Sequence, residues 1–229
     1  MPEVCILIPA FNEEETIGKV IDNIPFQRLK DEGYQVDVLV VNNNSTDQTA
    51  RIAASKGARV ITEPVPGKGK AMRKGFEATG ADFVVMMDAD NTYSPVYVPE
   101  ILKKLHDHPV VIGSRLRGGW ERGAIKPLNV VGNFLLTMLA NILYQSRISD
   151  VCTGFWGIRQ EVIPNLELSL NGFQFEAELF SQLAKNNYKI GEIPIYYRCR
   201  PNHPKLASVR DGAKIAWTLI AHRFHRNGK

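Results

Sequence analysis

The chain has 229 residues, 44% hydrophobic and 23% charged, an ordinary globular composition with enough apolar material for a substantial core. Three cysteines (Cys5, Cys152 and Cys199) exclude a disulfide framework, and their odd number points to a reduced, cytoplasmic compartment. No Cys/His spacing suits a structural zinc site, and no basic stretch with a long apolar segment marks a secretory leader. The net charge of +4 is uneven, because residues 198–229 carry eight Lys/Arg against one Asp. An anionic partner is therefore expected at that end. Aromatic residues do not interleave with the basic ones as in nucleic-acid modules, so no nucleic acid is expected.

Residues 4–8 form a short apolar run closed by Pro9, which reads as a first strand buried on both faces. Residues 12–24 carry acids early and apolar residues at Ile17, Val20, Ile21 and Ile24, the spacing of a helix with a favourable acidic start. A second strand is expected at 37–41. A second helix follows at 46–56, with Ser45 or Thr46 as N-cap and Gly57 just past its end. A third strand is expected at 58–62, a helix opened by Gly67-Lys68-Gly69 at 67–79, and a fourth strand at 83–87. Then come a helix at 96–106 and a strand at 110–113. Alternating strands and helices predict an α/β fold: a Rossmann-like, mainly parallel sheet flanked by helices, in a single domain. Ligands bind such sheets at the carboxyl ends of the strands. Polar groups fall there after strands one, two and four.

Residues 114–127 are basic, Gly-rich and aromatic, and read as a mobile loop. Residues 128–144 contain twelve apolar residues in seventeen, with Asn129, Asn133, Thr137 and Asn141 at steady i+4 intervals. On a helix these four form one narrow stripe and the rest is apolar. Such a helix is either a core helix or meets lipid. Its length is the lower limit for a bilayer span, and the polar stripe fits better with a helix lying in the membrane interface. Strands at 155–158 and 189–195 flank a helix at 175–185, and a final helix at 211–224 ends in an aromatic and basic run suited to anionic head groups.

Asp88 and Asp90 follow the fourth strand. On an extended chain they point the same way and repel. They make either a solvated turn or a site for a hard divalent cation that carries a phosphate on its other side. Gly67-Lys68-Gly69-Lys70 puts two ammonium groups at a helix start, where an anion is favoured. Asp47 reads as a cap of the second helix, and Glu13 as a helix-start carboxylate or a hydrogen-bond acceptor.

Four segments occur in order: Pro9-Ala10-Phe11-Asn12-Glu13-Glu14, Asn44-Ser45-Thr46-Asp47-Gln48-Thr49, Gly67-Lys68-Gly69-Lys70-Ala71 and Asp88-Ala89-Asp90. With them the chain resembles glycosyltransferase family 2, inverting enzymes of the GT-A fold. Gly113-Ser114-Arg115, Asp150-Val151-Cys152-Thr153-Gly154-Phe155, Gly172-Phe173-Gln174-Phe175-Glu176-Ala177-Glu178 and Lys205-Leu206 bring it close to the polyprenyl-phosphate hexosyltransferases, typified by dolichyl-phosphate mannose synthase. The resemblance spans nearly the whole chain.

That resemblance implies a nucleotide sugar (GDP-mannose or UDP-glucose) as donor and a polyprenyl phosphate as acceptor. Pro9, Ala10, Phe11 and Glu13 would hold the nucleoside. Lys68 and Ala89 would lie beside the nucleotide, and Asp88 and Asp90 would hold Mg2+ or Mn2+. Asn42 and Asn43 stand where the family has Asp; an amide still hydrogen-bonds a base but brings no charge. Thr92 replaces a family Gln, leaving water to complete the metal shell. A phosphate acceptor is already anionic and needs cations more than a base. Arg115, Arg198, Arg200 and Lys205 are expected to supply them, with Asp150 and Glu178 orienting these cations or contacting the sugar. The alternatives are a soluble acceptor or a non-catalytic nucleotide-binding module. No run of 18 apolar residues is present, so attachment to the membrane is expected to be peripheral or assisted by a membrane-protein partner.

Overall fold

The computed structural model describes residues 1–201 and 208–224. In chain order the elements are β1 (Glu3–Ala10), α1 (Ile17–Asp22), α2 (Phe26–Asp31), β2 (Gln35–Asn42), α3 (Thr49–Ser55), β3 (Arg59–Thr62), α4 (Lys68–Glu77) and β4 (Phe83–Met86). A 3-10 turn, Pro95–Tyr97, leads into α5 (Val98–Leu105), β5 (Val110–Ser114), α6 (Arg115–Gly118) and α7 (Pro127–Tyr144). After β6 (Trp156–Arg159) and a second 3-10 segment, Gln160–Asn165, come α8 (Phe175–Lys185), β7 (Ile190–Pro194) and α9 (Ser208–Phe224).

The strands form one seven-stranded sheet in the order β3-β2-β1-β4-β6-β5-β7. β6 runs antiparallel to both β4 and β5, and the other pairings are parallel. Burial on both faces explains the continuous apolar runs. In β1, Val4, Ile6 and Ile8 face the core under α1, α2, α3 and α5. Cys5 and Leu7 face the core under α4, α7, α8 and α9. The chain thus alternates between two cores at the period of a strand. Gly75 lets α4 settle on β1, since a Cβ there would lie 2.4 Å from a Leu7 methyl.

The expected helix at 12–24 begins only at Ile17. Asn12 takes φ +48°, and Glu13 O closes a turn onto the amides of Thr16 and Ile17. The short α2 escaped the periodicity reading because Leu29 is its single buried residue. α3 starts at Thr49 rather than residue 46, with Asp47 accepting from the Thr49 amide at 3.0 Å and the Thr49 hydroxyl at 2.5 Å. The basic segment after β5 opens with the helical turn α6, capped by the Ser114 hydroxyl, and Trp120 bridges to Tyr197.

Three strand ends share one local device. Asn12, Asn44 and Asn91, after β1, β2 and β4, all have φ between +48° and +61°. Asparagine tolerates this left-handed conformation better than other side-chain-bearing residues. Each turns the chain sharply away and leaves a loop at the carboxyl edge of the sheet.

Candidate active site

Those loops enclose one side of a cavity of about 790 Å³. Pro9, Ala10, Phe11, Glu13, Asn43, Lys68, Asp88, Ala89, Asp90, Arg115 and Arg200 all lie on its wall. Two of the predicted site residues do not. Asp150 is fully buried behind Arg115. Arg198 is exposed outside the cavity, its amide bonded to Thr92 O. Lys205 lies outside the described residues.

Asp88 and Asp90 come together through a turn. β4 ends at Met86, and Ala89 and Asp90 occupy a turn, so the alternation of an extended strand is not what aligns them. Asp88 Oδ1 lies 2.6 Å from Lys68 Nζ, which also lies 2.6 Å from Glu176 Oε1. Asp90 Oδ1 accepts from the Thr92 amide and hydroxyl, at 3.1 and 2.6 Å. Its Oδ2 faces Arg200 at 3.3 Å, and Arg200 also pairs with Glu13. Burial, then repulsion from Asp88, raises the Asp90 carboxyl above its ordinary range; Thr92 and Arg200 offset part of this. Burial likewise raises Glu176, against the pull of Lys68. Burial alone would depress Lys68, but the two carboxylates outweigh it and push the ammonium well above its usual value.

Other side chains have roles that differ from the expected ones. Asn43 spends its amide on the 63–67 segment: Nδ2 donates to Glu63 O and Val65 O, and Oδ1 accepts from the Gly67 amide. It shapes the wall with both amide N–H groups spent, leaving one acceptor lone pair on Oδ1. Glu13 is committed to Arg200 and Thr16. Glu178 neither faces the cavity nor orients a cation on it. It is fully buried and holds the Ser169 amide and hydroxyl and the Leu170 amide, at 2.8–2.9 Å. The residues it holds lie against the Gly67–Gly69 turn, where a Cβ on Gly69 would come within 2.0 Å of Leu170 O. These glycines therefore serve close backbone approach rather than a loose anion loop.

Arg115 makes a two-pronged ion pair with Asp150, Nε to Oδ2 and Nη2 to Oδ1, each at 2.8 Å. Its guanidinium lies 5.3 Å from the centre of the Tyr197 ring. Asp150 outweighs the effect of burial and keeps this arginine charged. The polar end of the cavity then continues into an apolar one lined by Leu128, Leu135, Leu136, Val209 and Ile215, between α7 and α9.

Residues 5–166 match the profile described as Glycosyl transferase family 2. The chain belongs to glycosyl transferase family 2. It is 34% identical over 218 residues to "Glycosyltransferase AglJ" of Haloferax volcanii, covering 93% of this chain and 69% of that one. It is 33% identical over 219 residues to the same organism's "Dolichyl-phosphate hexose transferase", covering 95% and 92%. Among solved structures, glucosyl-3-phosphoglycerate synthase from Mycobacterium tuberculosis, in complex with Mn2+, UDP and phosphoglyceric acid, superposes with a TM-score of 0.78. It shares 23% identity over 99% of this chain and 80% of that one, which establishes the shared GT-A fold.

Within this family 2 glycosyltransferase the carboxylate pair suits a hard divalent cation. Asp88 and Asp90 are oxygen donors whose mutual repulsion is met here by Lys68 and Arg200. Among the described residues no group of three or more His, Cys, Asp or Glu is arranged to hold a metal. The remaining ligands of such an ion would be phosphate and water oxygens, consistent with a hard cation's preferences. Thr92 orients Asp90 through its amide and its hydroxyl. Gly154 lies close against Asp88, because a Cβ there would lie 2.8 Å from Asp88 Oδ2. Gly154 and Glu176 both sit in the quoted family motifs, yet spacing alone did not assign them these partners.

α7 is inside-out. Asn133 and Thr137 are buried, whereas Val131, Phe134, Leu135, Met138 and Ile142 are exposed. Thr137 accepts from the Val151 amide at 3.2 Å, and Asn141 donates to Ile148 O at 2.7 Å. By length and composition alone the helix passes as a membrane span, in line with its expected place at the lower length limit. Its polar stripe nevertheless binds it lengthwise to the fold. On the neighbouring α9, Trp217 is 71% and Phe224 74% exposed.

Proposed function

We propose that this glycosyltransferase moves a hexose from a nucleotide hexose to a polyprenyl monophosphate, with inversion at the anomeric carbon. The supporting observation is that every carboxylate on the cavity wall is already paired with a cation. Glu13 and Asp90 share Arg200, and Asp88 and Glu176 share Lys68. A hydroxyl acceptor needs a general base, and none stands idle there. A phosphate monoester brings its own nucleophilic oxygen and asks for positive charge. Arg115 keeps N–H groups beyond the two given to Asp150, and the buried Arg200 Nε has no hydrogen-bond partner among the described residues.

In this reading Pro9, Ala10 and the exposed Phe11 flank the nucleoside. The donor diphosphate lies near Asp88, Asp90 and Lys68. The two arginines hold the acceptor phosphate behind the sugar. One phosphate oxygen bonds to the anomeric carbon as the carbon–oxygen bond to the diphosphate breaks, and that electron pair leaves with the nucleoside diphosphate. When bound, Mg2+ or Mn2+ supplies charge neutralisation for that departure. The apolar half of the cavity receives the first prenyl units. The outward apolar faces of α7 and α9 lie in the head-group layer of the membrane on its cytoplasmic side.

A panel of nucleotide sugars is incubated with dolichyl or undecaprenyl phosphate in liposomes, with soluble phosphorylated acids and sugars as parallel acceptors, and read by mass spectrometry. A prenyl-phosphate hexose is expected. Turnover with soluble acceptors alone refutes the acceptor assignment; nucleotide binding without any diphosphate release refutes catalysis.

A further inference from the structure

Asp150 accepts four hydrogen bonds and is wholly excluded from solvent. Three come from Arg115: its amide and Nε to Oδ2, and Nη2 to Oδ1. The fourth comes from Asn133 Nδ2 on α7, 2.8 Å from Oδ1. Asn133 is thus the one donor to this carboxylate, among the described residues, that belongs to the helix with the exposed apolar face. Thr137, one turn on, lies 3.4 Å from Asn133 Oδ1 and also accepts from the Val151 amide. Together they anchor α7 directly to the segment that carries Asp150.

We propose that Asn133 is a positioning residue: it fixes the Asp150 carboxylate from α7 and thereby sets where Arg115 presents its remaining N–H groups to the acceptor phosphate. The inference rests on the acceptor assignment above. A carboxylate holding two prongs of a guanidinium has little freedom only if all its lone pairs are engaged. Without the Asn133 donor, one buried acceptor site on Oδ1 is unmet, and the carboxylate tilts toward whatever donor or water it can reach. Arg115 follows, because both prongs move with it. Among the described residues Asp88, Asp90 and Lys68 make no hydrogen bond to Asp150, Asn133 or Arg115, so donor binding is left alone.

The tests are Asn133→Leu, which removes the amide at similar volume, and Asn133→Asp, which keeps the shape and replaces the donor with an acceptor. For either folded variant the KM for a short-chain prenyl phosphate should rise about tenfold or more, the loss expected for a hydrogen bond to a charged group. The affinity for nucleoside diphosphate with Mn2+, and co-sedimentation with liposomes, should not change. Exchange of the Arg115 Nε proton, followed by NMR, should quicken. An unchanged acceptor KM with unchanged Nε exchange overturns the proposal, as does a parallel fall in donor affinity, which marks general damage. If the wild-type enzyme uses only a soluble phosphate acceptor, the prenyl reading fails while the KM split is read with that acceptor. If no acceptor is turned over, the Nε exchange alone decides.

Discussion

Replacing Lys68 with methionine keeps most of the side-chain length and removes its charge. In the wild-type protein Nζ is 2.6 Å from a carboxylate oxygen of both Asp88 and Glu176. The three side chains are 16%, 26% and 8% exposed. Stripping one partner from a buried ion pair costs about 3–5 kcal/mol. Water reaching Asp88 screens its share, so the low end, about 3 kcal/mol, is expected. For a chain of this size each kcal/mol moves Tm by about 2–4 °C, giving a fall of roughly 6–12 °C. The pH dependence follows from Glu176, whose carboxyl burial already raises while Lys68 holds it down. A carboxyl raised in the folded state binds a proton on folding, so its contribution improves as pH falls and worsens as pH rises through the folded value. Loss of Lys68 raises it further, so the variant's deficit should be larger near pH 8 than near pH 5.5. Millimolar Mn2+ should restore part of the loss and bind the nucleotide-free variant more tightly than wild type, since Lys68 no longer competes for Asp88. Thermal melts at both pH values, with and without Mn2+, provide the assay. A fall under about 2 °C, or a deficit equal at both pH values, refutes the claim that this cation holds buried charge.

Asp90→Asn should abolish metal-dependent turnover while melting within a few degrees of wild type; activity surviving in excess chelator would contradict the metal role. Phe134→Glu with Ile142→Glu places charge on the exposed face of α7 and removes about 3–6 kcal/mol of apolar burial in lipid. The protein should then leave liposomes in a co-sedimentation assay yet give an unchanged circular dichroism spectrum; unfolding would mean that this face is packed. Gly154→Ala drives a Cβ against Asp88 Oδ2, so Mn2+ affinity in a titration should fall at least about tenfold with little loss of fold. An unchanged affinity would remove Asp88 from the metal seat.

The strands were legible because a sheet covered on both faces demands uninterrupted apolar runs, and α8 falls at residues 175–185 as its pattern requires. The polar stripe on α7 was equally plain. Its direction was not. A stripe of amides reads as a solvent face until something polar inside the fold claims it, and Asp150 is buried only because Arg115 arrives from the end of β5. The same holds for Glu13, a natural helix-start acid whose partner, Arg200, lies 187 residues away. Local charge rules favoured the helix; the distant arginine and the left-handed Asn12 delayed it to Ile17.

The carboxylate pair divides along the same line. That two carboxylates end an apolar run is a property of eight consecutive residues. That they sit in a turn, with Lys68 and Arg200 standing between their charges, depends on segments far apart in the chain. Sequence alone determined the family, the strand edge where chemistry gathers and the unusual amphipathic helix, because short-range pattern and composition carry that information. Only the folded chain decided which acid meets which base and which way α7 faces, since electrostatic pairing and burial are settled by groups that share space without sharing sequence.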